Sequence, residues 1–147
     1  MKRMWLSVFS CMLIVTTVLL TACRGDWYYE LPNDYALDRI NAHSIQLSKK
    51  NPERQSYHCV LENYYVYAVC VAGEYILTSG IPTKDAFATD AELEKTDRTY
   101  YAVNYETSEI LGPFTQEGEV RVQLSDIFAT SELAWIYTKD IVVSDGS

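Results

Sequence analysis

The chain has 147 residues, enough for one ordinary domain. Acidic side chains outnumber basic ones by 20 to 12, which gives a formal net charge of −8 at pH 7. This balance argues against nucleic-acid binding, which relies on clustered Lys and Arg, so we expect no nucleic-acid partner.

The first 22 residues have the pattern of a bacterial lipoprotein signal peptide. Two cations, Lys2 and Arg3, precede an uncharged apolar run over residues 4–22, and the sequence Leu-Thr-Ala-Cys ends at Cys23. A small residue before such a cysteine resembles the lipobox, which predicts cleavage between Ala22 and Cys23 and attachment of a lipid to Cys23. An uncleaved transmembrane helix is the rival interpretation, because 19 apolar residues approach the length that spans a bilayer. Both interpretations place the domain outside the cytoplasm.

This pattern divides the chain into three parts. Residues 1–22 form the signal peptide, residues 23–33 the lipidated cysteine and tether, and residues 34–147 a single domain. Removing the signal peptide with its two cations leaves 10 cations against 20 anions, a net charge of −10. Anionic lipid repels such a chain, so we expect the membrane to be a partner only through the anchor at Cys23.

The residues around the tether refine this expectation. Arg24 follows Cys23 in place of the aspartate that retains lipoproteins at the inner membrane, so in a two-membrane bacterium the outer membrane is an open destination. We expect the aromatic segment 27–29 to dock on the domain.

Four cysteines are present, and their positions fit an exported protein. Cys11 leaves with the signal peptide and Cys23 carries the lipid, so Cys59 and Cys70 remain in the domain. An even pair in an exported domain suggests a Cys59–Cys70 disulfide. The alternative is two unpaired, buried thiols that behave as small apolar side chains.

Segment 35–48 fits two kinds of structure. Leu37, Ile40, Ser44 and Leu47 have helical spacing, whereas alternation on either side of Arg39-Ile40 fits a strand whose phase slips there. We favour a strand with a bulge. Residues 49–56 are polar and predict a loop around Pro52.

The strongest strand signals lie in residues 57–61 and 64–71. The second run contains only Tyr, Val, Ala and Cys, which indicates a strand covered on both faces. Ala72-Gly73 predicts a hairpin into residues 74–79, with Gly73 in the left-handed conformation.

Residues 82–97 are polar and acidic and leave two structures open. Thr89 or Asp90 is suited to cap a short helix that continues to Lys95. The alternative is a surface loop.

The C-terminal part predicts further strands and one helix. Residues 99–105 form a strand, residues 106–108 turn it into residues 109–111, and Gly112-Pro113-Phe114 stops that strand. Residues 116–128 place apolar side chains on one helical face, with Thr115 as a candidate cap. Residues 133–138 and 141–143 are closing strands.

These elements predict an α+β fold, with an antiparallel β-sheet of about five to seven strands and one late helix packed on one face. The order of a lipobox, "LPNDYALDRINAHSIQL", a hairpin into "YIL", and "YYAVNYETSEILGPF" before a helix resembles a family of small bacterial lipoproteins known as a domain of unknown function. The resemblance covers most of the mature chain. It implies an envelope location and an α+β fold, and it implies no activity.

Three groups of residues carry side chains that are suited to catalysis or metal binding. His58 and Cys59 are adjacent on a strand and point to opposite faces, so they cannot form a catalytic pair, and a Cys59–His43 pair would depend on the fold. His43, His58, Cys59 and Cys70 lack the close ligand pairs of zinc sites, so we expect no metal and no cofactor. The third group is acidic and lacks the spacing of a calcium loop; it comprises Asp85, Asp90, Glu92 and Glu94.

Tyrosines supply 12 of the 19 aromatic residues. They either line a binding face or pack in the core and on sheet faces, and we favour packing. Those considered were Tyr28, Tyr29, Tyr64, Tyr65, Tyr67, Tyr100 and Tyr101.

No catalytic constellation is visible, so we expect a lipid-anchored, non-catalytic domain of the cell envelope that binds a protein or small molecule. One alternative is an envelope hydrolase whose site is built from scattered carboxylates. Another is a protective lipoprotein that inhibits a toxin or an enzyme.

Overall fold

The computed structural model describes residues 27–41, 43–128 and 132–141, and it contains two antiparallel β-sheets. The first sheet has the order β1-β2-β3-β4 and the second has the order β8-β7-β6-β5-β9. The strands are β1 (Trp27–Glu30), β2 (Tyr35–Asn41), β3 (Ser44–Asn51), β4 (Ser56–Cys59), β5 (Tyr64–Ala72), β6 (Tyr75–Pro82), β7 (Thr99–Asn104), β8 (Ile110–Phe114) and β9 (Ile136–Tyr137).

The helices in the described residues are short. They are α1 (Asp90–Lys95), α2 (Glu117–Gln123) and α3 (Ser125–Phe128), with 3-10 turns at Lys84–Ala86 and Thr138–Asp140. The late helix predicted over residues 116–128 is therefore present, but it is interrupted at Leu124, whose φ of −111° and ψ of 29° depart from the helical conformation.

The expectation of a single sheet is wrong, because two sheets are stacked. The chain leaves the first sheet after β4 and enters the second through a short turn in which Asn63 has a positive φ. Apolar side chains of both sheets then meet in one core, to which β2 and β3 contribute Leu37 and Leu47 while β5 and β6 contribute Val69 and Ile76. Stacking buries the apolar face of each sheet, which a single sheet of this length would leave in water.

A second, smaller core covers the other side of the second sheet. Val120 of α2 and Leu124 pack there against Cys70 and Leu77, while Leu133 closes the cluster. The strand β5 therefore has apolar cover on both faces, as its uninterrupted apolar sequence predicts.

Segment 35–48 forms strands rather than a helix. The β2–β3 register shifts between Arg39 and Asn41, which places the predicted bulge at Ile40. The expectation of one continuous strand is wrong, because the chain reverses between Asn41 and Ser44. Asn41 accepts a hydrogen bond from the His43 amide (2.9 Å), a local turn that needs neither Gly nor Pro. Strand β3 then continues to Asn51, so the predicted polar loop is shorter than expected.

The structure confirms the left-handed glycine and decides between the two structures left open for residues 82–97. Gly73 has a φ of +56°, and a Cβ at this position would come within 2.8 Å of Ile127, so both conformation and space favour glycine. Thr89 caps α1 through a capping box, in which its side chain accepts from the Glu92 amide and the Glu92 carboxylate accepts from the Thr89 amide.

The predicted stop at Gly112-Pro113-Phe114 is wrong. Strand β8 continues to Phe114, and Gly112 and Pro113 form a bulge opposite Tyr101. Proline is tolerated because β8 is an edge strand. The candidate cap Thr115 is replaced by Gln116, although the Thr115 amide also donates to Glu119 of the cap (2.7 Å).

Both ends of the described chain join the sheets. Residues 27–29 were expected to dock on the domain, and they form the edge strand β1, paired with β2. Of the predicted closing strands, only Ile136–Tyr137 is a strand, and a 3-10 turn follows it. Residues 142 and 143 lie outside the described residues.

Candidate binding cleft

The predicted lipidation and cleavage residues, Cys23 and Ala22, lie outside the described residues. No helix within the described residues is long and apolar enough to cross a membrane. The anchor therefore remains a prediction from the sequence.

The suggested Cys59–Cys70 disulfide is not present in the structure. Both thiols are free, which is the alternative that the sequence left open. Cys59 lies on β4 at the edge of the first sheet, whereas Cys70 lies on β5 and packs in the core beneath α2. Burial raises the pKa of both thiols, and this disfavours a reactive thiolate.

The histidines do not come together with Cys59. Cys59 pairs with Ser48 near the far end of β3, and five residue steps of that strand separate Ser48 from His43, or roughly 16 Å. The ring of His43 instead contacts Phe87, with 5.4 Å between the ring centroids. The Cys59 thiol donates to the Leu61 carbonyl at 3.2 Å.

The acidic segment is used for helix capping. Glu92 closes the capping box of α1, and its hydrogen bonds to Thr89 lower its pKa. Among the described residues, no group of three or more His, Cys, Asp or Glu side chains is arranged to hold a metal ion.

The tyrosines follow the packing interpretation. Tyr64 and Tyr65 are buried in the core between the sheets. Tyr64 donates to the Thr99 carbonyl (2.6 Å), and its ring meets that of Tyr101 edge to face. Tyr28 is exposed and stacks on Tyr57, with 5.1 Å between the ring centroids.

An open cleft of about 570 Å³ lies where the first sheet, the second sheet, α1 and the C-terminal 3-10 turn meet. It combines cations, carboxylates, tyrosines and apolar side chains. Its walls are formed by Arg39, Ile45, Tyr65, Tyr67, Asp90, Leu93, Glu94, Thr138, Lys139 and Ile141. This mixture of charged groups over an apolar base is typical of a site that orients a small polar ligand.

One wall of the cleft is held rigidly by aromatic contacts. The guanidinium of Arg98 lies 3.8 Å from the centre of the Tyr67 ring, and Tyr137 meets that ring edge to face. Arg98 also donates to the Leu93 carbonyl through Nη2 (3.0 Å). Its Nη1 is buried and has no hydrogen-bond partner among the described residues. Two lining residues, Tyr67 and Leu93, are thus fixed by one arginine.

The hydroxyl of Tyr65 is subject to opposite charges in the cleft. Burial raises its pKa, Thr138 and Arg39 act to lower it, and Asp90 acts to raise it. The hydroxyl is therefore neutral at physiological pH and keeps its proton available for a hydrogen bond.

The two carboxylates of the cleft share one wall. Asp90 and Glu94 are four residues apart on α1, a spacing that places them on one helix face about 6 Å apart.

Sequence reasoning missed this cleft. Arg39 and Lys139 are separated by 100 positions in the chain and meet only through the stacking of the sheets. The bulge at Ile40 was a partial signal, since bulges often lie beside functional sites.

The fold and the cleft define a small, two-sheet antiparallel domain that carries a mixed-charge cleft. The family model described as "Protein of unknown function (DUF3997)" matches residues 32–121, which is more than half of the chain. The protein therefore belongs to this family of uncharacterised proteins. No curated protein and no solved structure matches the chain.

Proposed function

We propose that this protein is a lipid-anchored binding domain of the bacterial cell envelope, without catalytic activity. The observation that carries the proposal is the cleft, which presents Arg39 and Lys139 together with Asp90 and Glu94. A ligand that carries both a carboxylate and an ammonium group, such as an amino acid or a short peptide, matches these charges.

The anchoring part of the proposal rests on the sequence that ends at Cys23. We expect Cys23→Ser to abolish labelling by a palmitate analogue and to leave the precursor uncleaved. Cys11→Ser is the matched control, because Cys11 lies within the signal peptide and its loss leaves the lipobox intact. Labelling that persists in Cys23→Ser would contradict the anchor.

The binding part can be tested by thermal unfolding against a panel of amino acids, dipeptides and tripeptides with free termini. A ligand of the folded state raises the melting temperature by mass action. We expect at least one panel member to do so, and Arg39→Gln to remove the shift. Lys50→Gln, which removes a cation outside the cleft, should retain it. The binding proposal fails if no member of the panel raises the melting temperature, or if both variants respond alike.

A further inference from the structure

We propose that one end of the domain rests on the bilayer, with Ile40 and Phe87 in contact with the lipid interface. This inference rests on the proposed lipid anchor at Cys23, and it adds an orientation that the anchor alone does not define. The relevant end of the molecule, termed the anchor end, is formed by Trp27, Ile40, His43 and Phe87.

The first argument is the length of chain between the lipid and the fold. Strand β1 begins at Trp27, so four Cα–Cα steps separate it from Cys23. Because consecutive Cα atoms are about 3.8 Å apart, Trp27 lies within about 15 Å of the lipidated residue. The headgroup layer itself occupies about 5–8 Å on each side of the hydrocarbon core. A reach this short holds the end that carries β1 close to the interface.

The second argument is that the residues of the anchor end are brought together by the sheet register. Trp27 pairs with Arg39, and Ile40 is the bulged residue next to that pair. Phe87 reaches the same end through a bridge to Ser44 and through contact of its ring with His43.

The third argument is the chemistry exposed there. Ile40 is 48% exposed and Phe87 is 46% exposed, although both are large apolar side chains. Neighbouring Trp27 is partly buried against the core between the sheets, and it is a residue type that favours the water–membrane interface. The mature charge of −10 keeps the other faces away from anionic lipid, so a small apolar end is the contact that the charge permits.

The opposite end of the domain provides a matched comparison. There the β2–β3 pair meets the β7–β8 turn, because Lys49 donates to Ser108 (2.9 Å) and Asn33 donates to the Tyr105 carbonyl (2.6 Å). Ile110 begins β8 beside this turn and is 44% exposed, close to the values of Ile40 and Phe87.

The orientation has a consequence for the cleft. Arg39 pairs with Trp27 and also lines the cleft, so the cleft lies beside the anchor end. Contact of this end with lipid would hold the cleft at the membrane surface, where it meets ligands displayed on the bilayer.

The test uses the full lipidated protein, purified from membranes and reconstituted into vesicles of phosphatidylethanolamine and phosphatidylglycerol. Three variants are compared with the parent: Phe87→Trp, Ile40→Trp and Ile110→Trp. For each variant we measure the tryptophan fluorescence that exceeds that of the parent. The measurement is made in vesicles whose acyl chains are brominated close to the headgroup and in unbrominated vesicles. The native tryptophans are common to all samples, so their contribution cancels in the difference, and circular dichroism checks that each variant is folded.

We expect bromination to reduce the added emission by about half or more for Phe87→Trp and Ile40→Trp, and to leave that of Ile110→Trp nearly unchanged. Equal quenching of all three, or none in a protein that floats with the vesicles, would overturn the orientation and leave the anchor standing. An indole at position 87 that neither bromine nor aqueous acrylamide quenches would mean that a protein covers this end, which also overturns the proposal. Protein that fails to float would overturn the anchor itself.

Discussion

The two hydrophobic cores of this protein differ in size and in what encloses them. The core between the sheets contains fourteen buried residues among those described, and the core beneath α2 contains seven. Strands enclose the first core on both sides, whereas α2, Leu124 and the segment around Leu133 cover the second. The family match ends at Arg121, so Leu124 and Leu133 lie beyond it. The larger number of buried side chains indicates that the paired sheets supply more of the stability than the helical cover does.

The largest expected effect is on the free energy of unfolding, and a pair of matched truncations, one in each core, would measure it. Leu47→Ala removes a side chain with no exposure from the core between the sheets, and we expect a loss of about 3–4 kcal/mol in the free energy of unfolding. Leu124→Ala acts at the end of a helix that can collapse around the gap, so we expect about 2 kcal/mol. Urea unfolding measures both values. A loss in Leu124→Ala equal to or above that in Leu47→Ala would break the comparison.

A smaller effect concerns alkaline pH and the tyrosines of the larger core. Burial raises the pKa of Tyr64 and Tyr65 above the value of about 10 for a free tyrosine. Above pH 10 the unfolded chain loses these protons while the folded chain retains them. The contribution of these tyrosines to the free energy of unfolding is therefore complete below pH 10 and is lost as the pH rises. Each such tyrosine contributes a slope of about 1.4 kcal/mol per pH unit.

Denaturant unfolding between pH 9 and pH 12 would measure this slope. Tyr64→Phe should flatten it, although this variant also loses the hydrogen bond to Thr99 and begins from a lower stability. Tyr57→Phe removes an exposed tyrosine and serves as the control. A slope that is unchanged in Tyr64→Phe would show that the ionisation of this group does not drive alkaline unfolding.

The smallest expected effect is on helix α1, which extends the comparison to an element outside both cores. Helix α1 has no buried residue and depends on the capping box of Thr89. We expect Thr89→Ala to cost about 1 kcal/mol, mostly as local opening. Hydrogen exchange should become faster in residues 90–95, with little change in the midpoint of global unfolding. Thr96→Ala, at the other end of the helix, is the control, and equal exchange in both variants would count against the cap.

Signals carried by neighbouring residues predicted the elements well. The left-handed Gly73 and the phase slip at Ile40 each depend on a few consecutive residues, and both are present in the structure. The cap at Thr89 is one of the alternatives that the sequence left open. The turn after Asn41 was missed because its signal is a single side-chain hydrogen bond rather than a Gly or Pro.

Arrangements that depend on distant residues were not predictable in the same way. The division into two sheets depends on which apolar faces pack against each other. Alternation of apolar and polar residues along a strand predicts that an apolar face exists, but it does not predict the partner of that face. The cleft has the same origin, since Arg39 and Lys139 are brought together by sheet stacking. Cys59 and Cys70 likewise remain as free thiols on different sheets, and their spacing in the sequence does not reveal this placement.

The order of the strands also bears on how the chain folds. The pairs β1–β2, β2–β3, β3–β4, β5–β6, β6–β7 and β7–β8 all join strands that are consecutive in the sequence. Most of these pairs are joined by short loops, which favours early formation of the hairpins, whereas residues 83–98 separate β6 from β7. Strand β9 is different, because it returns to β5, where Thr138 donates across about 70 residues to the Tyr67 carbonyl. Pairing of this strand therefore depends on a long-range contact, and one wall of the cleft is completed only when β5 and the C-terminal segment come together.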